Sequence, residues 1–260
     1  MNILERLAKA AKKRVERHKE KCSLEQTKNR ALETKNDDFD FENALKKSGL
    51  SFICECKKAS PSKGIIAEDF PYKEIAKEYE AAGADAISVL TEPTEFLGKD
   101  GYLEEIAHSV KLPCLRKDFI VDEYMVYEAK LLGAKAFLLI VSLLSDEDLK
   151  RYIKIGDELK TSALVETRTE EEIKRALNAG ARIIGVNNRN LADFSVDMER
   201  GKRLRELVPR NILFVAESGV KTAADVKAIS DMGADAVLIG ETMMKAKDKK
   251  AKLEELKSEL

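Results

Sequence analysis

The sequence contains few of the residues that mark disulfide-bonded or metal-binding proteins. Among 260 residues it has four cysteines and two histidines, and no pair of cysteines has the C-x-x-C spacing. Neither His18 nor His108 stands at metal-ligand spacing from a Cys, Asp or Glu. We therefore expect no metal site, helix-surface positions for both histidines, and a protein of the reduced cytoplasm.

Long apolar runs and an excess of positive charge are also missing. The longest apolar run, Ala136–Val141, is too short to span a bilayer, and the chain is charged from Glu5 onward, so we expect no signal peptide. Lys and Arg number 46 against 47 Asp and Glu, which gives a formal net charge of -1. This balance argues against a basic nucleic-acid-binding surface and against a polybasic membrane surface.

Glutamine is nearly absent, with Gln26 the only one, while charged residues make up 36 % of the chain. Two explanations stay open: a heat-tolerant protein rich in Lys and Glu, or a genome with biased codon usage. The 44 % of hydrophobic residues is enough for a sizeable core.

Four glycines recur along the chain in the same local pattern. Each follows an amphipathic segment and precedes a short apolar run, which suits the end of a helix, where φ is positive. These glycines, Gly83, Gly133, Gly180 and Gly233, lie about 50 residues apart. Since a strand–helix unit needs roughly half that length, we expect a second strand inside each interval.

Eight strands follow from this spacing. They are predicted over Ser51–Lys57, Ala86–Leu90, Pro113–Arg116, Ala136–Val141, Ser162–Val165, Ile183–Val186, Ile212–Ala216 and Ala236–Ile239. Their near-continuous apolar runs are typical of parallel strands buried on both faces. We therefore predict an α/β fold, a (β/α)8 TIM barrel that forms one domain over residues 1–260. The alternative, an open doubly wound sheet, is disfavoured because the G-x-G-x-x-G and Walker A motifs are absent.

Residues 1–50 precede the eight units and form a predicted N-terminal helical extension. Apolar residues recur at helical spacing from Ile3 to Val15, and a second helical stretch covers Phe41–Lys47. We expect these helices to cap one end of the barrel. At the other terminus, Met244–Leu260 is predicted to be the eighth helix, with its charges on a solvated face.

Charged residues end several of the predicted strands, and in a parallel barrel these carboxyl ends meet at the active-site rim. In the first strand, Glu55 and Lys57 share one face, while Cys54 and Cys56 share the other. A buried Glu–Lys pair stabilises a fold poorly, which favours a functional role for an inward pair. With no histidine at the rim, acid–base chemistry falls to Lys and Glu.

Glycines after the last two predicted strands indicate a phosphate site. Gly219 and Gly240 occupy the loops where barrels commonly bind phosphate through backbone N–H groups. The loop Ser60–Gly64, after the first strand, offers further donors. The expected ligand is a phosphorylated small molecule.

At the end of the first strand, Glu55-x-Lys57 followed by Ser60-Pro61-Ser62 resembles the signature of the indole-3-glycerol phosphate synthase family. The resemblance runs from about Glu33 to the end of the chain. It implies a carboxy-lyase of tryptophan biosynthesis that closes the pyrrole ring of 1-(2-carboxyphenylamino)-1-deoxyribulose 5-phosphate, with loss of carbon dioxide and water, and that needs no metal or organic cofactor. Motifs at five further strand ends also match: Ser88–Glu92, Lys117–Phe119, Leu164–Glu166, Gly185–Arg189 and Val215–Gly219.

The resemblance also implies roles for individual residues. Lys117 matches the general acid of ring closure, Glu166 matches the base of the dehydration, and Lys57 matches a substrate-binding lysine that is a candidate acid for the dehydration. The other matched positions are polar groups that hold the lysines and the intermediate (Glu55, Asn187, Glu217, Ser218), an arginine near the anthranilate carboxylate (Arg189), an apolar pocket for the ring (Phe96, Phe119, Leu138) and the phosphate site (Ser60, Gly219, Gly240, Glu241). Because many family members carry Ser or Thr at position 241, we expect the backbone N–H of Glu241 to serve while its side chain turns to solvent.

Three other functions stay open. A phosphoribosylanthranilate isomerase would share the phosphate loops but needs a Cys–Asp pair, whereas a Schiff-base aldolase would use Lys117 or Lys57 as its nucleophile. A non-catalytic barrel would have no need of the converging charges. We expect neither nucleic acid nor membrane as a partner. Other tryptophan-pathway enzymes are candidate partners, and a monomer is expected rather than a stable oligomer.

Overall fold

The strands and helices alternate along most of the chain. A computed structural model describes residues 3–35, 38–189 and 194–260. Its strands are β1 (Ser51–Cys56), β2 (Ala59–Ser60), β3 (Gly64–Ile65), β4 (Ala86–Leu90), β5 (Cys114–Lys117), β6 (Ala136–Ile140), β7 (Ser162–Thr167), β8 (Ile183–Asn187), β9 (Leu213–Glu217) and β10 (Ala236–Ile239). Its helices are α1 (Ile3–Lys21), α2 (Leu24–Glu33), α3 (Asp40–Leu45), α4 (Tyr72–Ala81), α5 (Asp100–Ser109), α6 (Glu123–Leu131), α7 (Asp146–Glu158), α8 (Glu170–Asn178), α9 (Met198–Arg205), α10 (Ala223–Asp231), α11 (Glu241–Lys245) and α12 (Lys249–Lys257).

Eight of these strands close into a barrel. Their order around it is β1-β10-β9-β8-β7-β6-β5-β4, and the first strand pairs in parallel with both β4 and β10. The side chains of β4, β6 and β8 are buried along their whole length, as parallel strands between two apolar layers require. The predicted TIM barrel and its eight strands are confirmed. The remaining pair, β2 and β3, forms a small antiparallel hairpin in the loop after β1.

The recurring glycine ends a helix in each of the four places where the sequence predicted it. Gly83 and Gly133 have φ of 84° and 81°, and Gly180 and Gly233 have φ of 91° and 78°. A residue with a Cβ is strained in this conformation, which explains the recurrence of glycine. Each of these glycines turns the chain from a helix back to the amino end of the next strand.

Four strands run one or two residues further than predicted. β5 ends at Lys117, β7 at Thr167, β8 at Asn187 and β9 at Glu217. The predicted ends were Arg116, Val165, Val186 and Ala216. The polar residues Glu166, Asn187 and Glu217 therefore lie inside strands, where ladder hydrogen bonds fix their backbones.

In its described residues, the N-terminal extension contains three helices rather than two. Helix α2 was missed, although Ser23 and Gln26 form a reciprocal capping box at its start. Helix α3 lies at the amino end of the barrel, because Glu42 pairs with Arg182 at 2.8 Å just before β8. Asp40 likewise pairs with Lys135, just before β6, at 3.4 Å. The expectation that the extension caps one end of the barrel is confirmed for α3.

Helix α1 reaches the other end of the barrel. Arg14, which is buried, donates a hydrogen bond of 2.6 Å to Asp118, the residue that follows β5. The neighbouring helix α2 packs against α6. The extension therefore contacts both ends of the barrel, and α1 supports the end that carries the predicted site.

The prediction of one solvated helix over Met244–Leu260 is wrong in two respects. The segment is divided between α11 and α12, and Lys249 is buried with only 8 % of its surface exposed. Its ammonium donates hydrogen bonds to the carbonyls of Met244 and Ala246 at 3.0 and 2.6 Å. These carbonyls are left without helical partners where α11 ends, so the charge serves as a C-terminal cap. Within the described residues, no helix combines the length and the apolarity that crossing a membrane requires.

Candidate active site

The carboxyl ends of the barrel strands open into a pocket of about 320 Å³, a size suited to a small-molecule ligand. All the site residues predicted from the sequence line it: Glu55, Lys57, Ser60, Phe96, Lys117, Phe119, Leu138, Glu166, Asn187, Arg189, Glu217, Ser218, Gly219, Gly240 and Glu241. The structure therefore brings together residues from every barrel strand or the loop that follows it. Their individual roles remain predictions.

Lys117, the last residue of β5, lies between two buried carboxylates. Its Nζ atom is 3.3 Å from Oε2 of Glu166 and 3.2 Å from Oε2 of Glu217. Burial lowers the pKa of the Lys117 ammonium, but the charges of Glu217, Glu166 and Glu55 outweigh burial and raise this pKa well above its usual range. The side chain is therefore held in its protonated form, ready to donate a proton or a strong hydrogen bond.

At Glu217, by contrast, the surroundings favour the neutral form of the side chain. Burial raises the pKa of its carboxyl to about 7, with Lys117 opposing and Glu166 adding to the shift. Its Oε1 atom is buried and has no hydrogen-bond partner among the described residues. The carboxylate fits there because the neighbouring strand β8 carries a glycine beside it: a Cβ on Gly185 would lie 2.3 Å from Oε1 of Glu217.

Glu55 and Lys57 point into the same pocket as Lys117, as the alternation of side chains along β1 predicted. Nζ of Lys57 lies 2.7 Å from Oε1 of Glu55, and Ser88 Oγ donates to Oε2 of Glu55 at 3.2 Å. Burial raises the pKa of Glu55, but the lysines at 57 and 117 prevail and keep this pKa below its usual range. Gly240 makes the close approach possible, since a Cβ there would lie 2.4 Å from Oε1 of Glu55.

The cysteines predicted on the opposite face of β1 take no part in the pocket. Cys54 and Cys56 are buried, and burial raises the pKa of the Cys54 thiol to about 12. Of the described residues that line the pocket, none is a cysteine.

One wall of the pocket is apolar. Phe96 and Phe119 face each other with ring centroids 6.2 Å apart, and Leu138 lies on the strand β6 nearby. The apolar residues that line the pocket and were not predicted include Leu90, Ile140, Phe194 and Leu238. Three of them are strand residues whose inward register the alternation rule could have supplied. Phe194, in the loop after β8, gave no such signal.

The opposite side holds the predicted phosphate residues and several cations. Gly219 has φ of 96°, and Ser218 before it has φ of 67°, so the chain turns sharply after β9. Lys221 and Lys245 line this side of the pocket and were not predicted. Glu241 lies between lysines, with Oε1 at 2.7 Å from Nζ of Lys245 and 3.8 Å from Nζ of Lys63. Its side chain is thus ion-paired at the rim rather than turned freely into solvent.

A possible cation-binding group lies outside this pocket. His18, Asp100 and Glu128 place one ligand atom each within 4.8 Å of the others, although they are far apart in sequence. The guanidinium of Arg116 already lies 2.8 Å from Asp100 and 2.7 Å from Glu128. A metal ion would have to share that space with a buried positive charge, so we assign no metal there. His108 is exposed, as expected, whereas His18 is half-buried and lies 2.7 Å from Oε1 of Glu128.

A closed parallel barrel with two lysines among three buried glutamates at its mouth defines a TIM-barrel enzyme built for acid–base chemistry. The family model of indole-3-glycerol phosphate synthase matches residues 4–256. The chain belongs to the indole-3-glycerol phosphate synthase family. The match begins near the start of α1, well before Glu33, where the sequence motifs had placed the beginning of the resemblance.

Curated relatives agree over almost the full length. The indole-3-glycerol phosphate synthase of Ruminiclostridium cellulolyticum is 54 % identical, with 98 % of each chain covered. That of Lachnoclostridium phytofermentans is 51 % identical, with 98 % of this chain and 99 % of the relative covered. Among solved structures, a 3-hexulose-6-phosphate synthase is similar with a TM-score of 0.64 and 15 % identity, covering 81 % of this chain and 100 % of the other, which shows the barrel fold alone.

Proposed function

We propose that this protein converts 1-(2-carboxyphenylamino)-1-deoxyribulose 5-phosphate into indole-3-glycerol phosphate, carbon dioxide and water. Family membership across the chain supports this activity. The structural observation that carries it is the position of Lys117, a protonated amine held by Glu166 and Glu217 at the floor of a pocket with an apolar wall. The reaction needs a proton donor at a carbonyl beside a place for an aromatic ring.

Ring closure is the step that we assign to Lys117. The ring carbon that bears the carboxylate attacks the ribulose carbonyl, and the carbonyl oxygen takes a proton from the Lys117 ammonium. Carbon dioxide then leaves, and its bonding electrons restore the aromatic ring. Glu166 and Glu217 stabilise the ammonium before transfer, and the buried setting strengthens these interactions.

Dehydration completes the product, and we assign it to Glu166 and Lys57. Glu166 takes a proton from the intermediate, while Lys57 protonates the departing hydroxyl, which leaves as water. Glu55 holds Lys57 at 2.7 Å, so the acid is fixed in place before the step. Asn187, Glu217 and Ser218 supply further polar contacts to the intermediate.

Substrate binding is divided between the two sides of the pocket. The anilino ring lies on the apolar wall of Phe96, Phe119 and Leu138, with its carboxylate near Arg189. The phosphate lies on Ser60 and the backbone N–H groups near Gly219, Gly240 and Glu241. Lys221 and Lys245 add positive charge on that side, which favours a phosphate dianion.

The rival functions are less well supported. A Schiff-base aldolase needs a neutral amine, whereas the carboxylates around Lys117 raise its pKa and keep it charged. An isomerase with a Cys–Asp pair lacks its cysteine, because Cys54, Cys56 and Cys114 are buried away from the described pocket lining. A barrel without catalytic function does not account for the buried Lys and Glu cluster, because buried ion pairs stabilise a fold poorly.

The remaining expectations belong to the same proposal. We place the enzyme in the cytoplasm, as a monomer in which barrel and extension form one domain. The contacts of Glu42 and Arg14 with opposite ends of the barrel support the single domain. Other enzymes of the tryptophan pathway are its candidate partners.

The decisive experiment is an assay of the purified protein with 1-(2-carboxyphenylamino)-1-deoxyribulose 5-phosphate, followed by the fluorescence of the indole product. The chain contains no tryptophan, so the protein itself contributes no indole signal. We expect turnover without added metal or cofactor. Absence of turnover by the folded protein would contradict the proposal, and trapping of a substrate adduct with borohydride would support the aldolase instead.

A further inference from the structure

The loop after β4 is built around one buried carboxylate. Glu92 has only 1 % of its surface exposed. Its Oε1 atom accepts hydrogen bonds from the backbone N–H of Thr94 at 2.8 Å and from the Thr94 hydroxyl. Its Oε2 atom accepts from the N–H groups of Glu95 and Phe96 at 2.8 and 3.1 Å. Three successive amides therefore converge on one side chain, an arrangement that favours an anion.

The rest of the loop is folded tightly over the strand end. The carbonyl of Glu92 accepts from the N–H of Gly98 at 2.8 Å, and Leu97 has φ of 52°. A Cβ on Gly98 would lie 2.3 Å from the carbonyl oxygen of Leu90. A turn with converging amides and a left-handed leucine is costly by itself, so the carboxylate stabilises a conformation that the backbone alone disfavours.

This loop carries Phe96 into the pocket. We propose that Glu92 is a positioning residue, whose carboxylate holds the backbone of Phe96 so that the ring stands against Phe119 and completes the wall for the aromatic ring of the substrate. The inference rests on the proposed function, which supplies that ring. Glu92 itself does not line the pocket and acts only through Phe96.

Replacing Glu92 by glutamine tests this positioning role. Glutamine has nearly the same shape as glutamate, but one of its two terminal groups is an NH₂ donor. Whichever way it turns, that NH₂ faces a backbone N–H of the loop, so Glu92→Gln loses acceptors and gains a repulsive contact. We expect Glu92→Gln to raise KM on the order of tenfold, with kcat changed by less than about threefold, since the lost contact is with bound substrate in ground and transition states alike.

A double-mutant cycle separates positioning from general damage. Phe96→Leu removes the ring itself, and we expect it to raise KM to a similar extent. If Glu92 acts through Phe96, the double variant has nearly the KM of the more affected single variant, because contacting residues are not additive. Asp235→Asn is the matched control, since Asp235 accepts the N–H of Phe214 at 2.8 Å at the amino end of the barrel. It should lower the melting temperature and leave KM unchanged.

Three outcomes would overturn the inference. In the first, the increase in KM of the double variant equals the product of the increases in the two single variants. In the second, Glu92→Gln has a lower melting temperature but an unchanged KM. Amide hydrogen exchange supplies a readout that does not need turnover: the amides of Thr94, Glu95 and Phe96 should exchange faster in Glu92→Gln but not in Asp235→Asn. Equal exchange in the wild type and Glu92→Gln is the third. An inactive wild type with the expected exchange pattern would instead count against the proposed function alone.

Discussion

Gly185 of β8 leaves the space that the carboxylate of Glu217 occupies on the neighbouring strand β9. A Cβ at position 185 would lie 2.3 Å from Oε1 and 3.4 Å from the carboxyl carbon of Glu217. Both residues lie in the barrel ladder, where Gly185 pairs with Val215 and Asn187 with Glu217. The backbone there cannot move freely, so the glycine determines where the carboxylate beside Lys117 can stand.

The variant Gly185→Ala tests this relationship. The methyl group should displace the Glu217 carboxylate from Lys117 and lower kcat by about 10²-fold or more, in the range seen when a catalytic proton donor is disturbed. It should also cost about 1–3 kcal/mol of stability through overpacking. Gly101→Ala is the control, since a Cβ at this helical position meets nothing within 4 Å. Wild-type turnover by Gly185→Ala would show that Glu217 can act from elsewhere.

Loss of the proposed general acid should abolish turnover without unfolding the protein. We expect Lys117→Ala to lower kcat by about 10²–10⁴-fold while circular dichroism stays unchanged. The substitution removes the only cation of the described structure that lies within 4 Å of both Glu166 and Glu217. A near-normal kcat in purified Lys117→Ala would contradict the assignment.

The raised pKa of Glu217 predicts a pH dependence of stability. The carboxyl titrates near 4.5 when unperturbed and at about 7 in the folded protein. Between these pH values the folded chain keeps a proton that the unfolded chain has lost, so this residue makes the free energy of unfolding fall as pH rises. Glu217→Gln cannot titrate. Relative to the wild type, the melting temperature of Glu217→Gln should therefore rise from about pH 4.5 to pH 7. A difference in melting temperature that does not change with pH would disprove the raised pKa of Glu217.

The turn after β9 should be intolerant of side chains. Gly219 has φ of 96°, and a Cβ there would lie 2.5 Å from Sδ of Met198 and 2.8 Å from Cγ1 of Val196. A valine would therefore displace the side chains of Met198 and Val196, rather than enter the phosphate space directly. We expect Gly219→Val to raise KM strongly and to weaken competitive inhibition by inorganic phosphate. Unchanged phosphate inhibition would move the phosphate toward Ser60 and Lys63.

Removing the carboxylate at position 241 should have the opposite effect on phosphate. Glu241 forms ion pairs with Lys245 and Lys63. These lysines hold the pKa of its carboxyl below the usual range, against the effect of burial. Glu241→Ser frees both cations and removes a negative charge from the rim. We expect a mild effect on kcat and a lower inhibition constant for phosphate. Loss of phosphate inhibition would mean that the carboxylate holds the loop in shape.

Sequence patterns were sufficient for the barrel and most of the site because both depend on local rules. Buried parallel strands are continuous apolar runs, and polar residues that end such runs must meet at one rim. Features that depend on contacts between distant segments were missed. Helix α2 had only a capping box to indicate it, and Lys249 belonged to a Lys-rich segment whose charges looked solvated. Phe194 enters the pocket from a loop, for which no periodicity exists.

The protonation states of the site residues could not be predicted from the sequence either. The motifs indicated Lys and Glu at the rim, but the burial of Glu217 and the spacing of Lys117 between two carboxylates decide which groups carry protons. Gly185 illustrates the same limit, since a glycine within an apolar strand gives no sign of the carboxylate that it accommodates on the next strand.

The pairing of β1 with β10 joins two strands that lie far apart in the sequence and are therefore synthesised at different times. Glu55 and Lys57 are synthesised well before the neighbouring strand β10 and the Gly240 backbone against which they lie. Until then the first strand has an open edge and an uncovered charge pair. Contacts of such long sequence separation form slowly. The nascent chain therefore cannot possess a complete active site before β10 has been synthesised, and a chain truncated before β10 should be an inactive, aggregation-prone sheet with free edges.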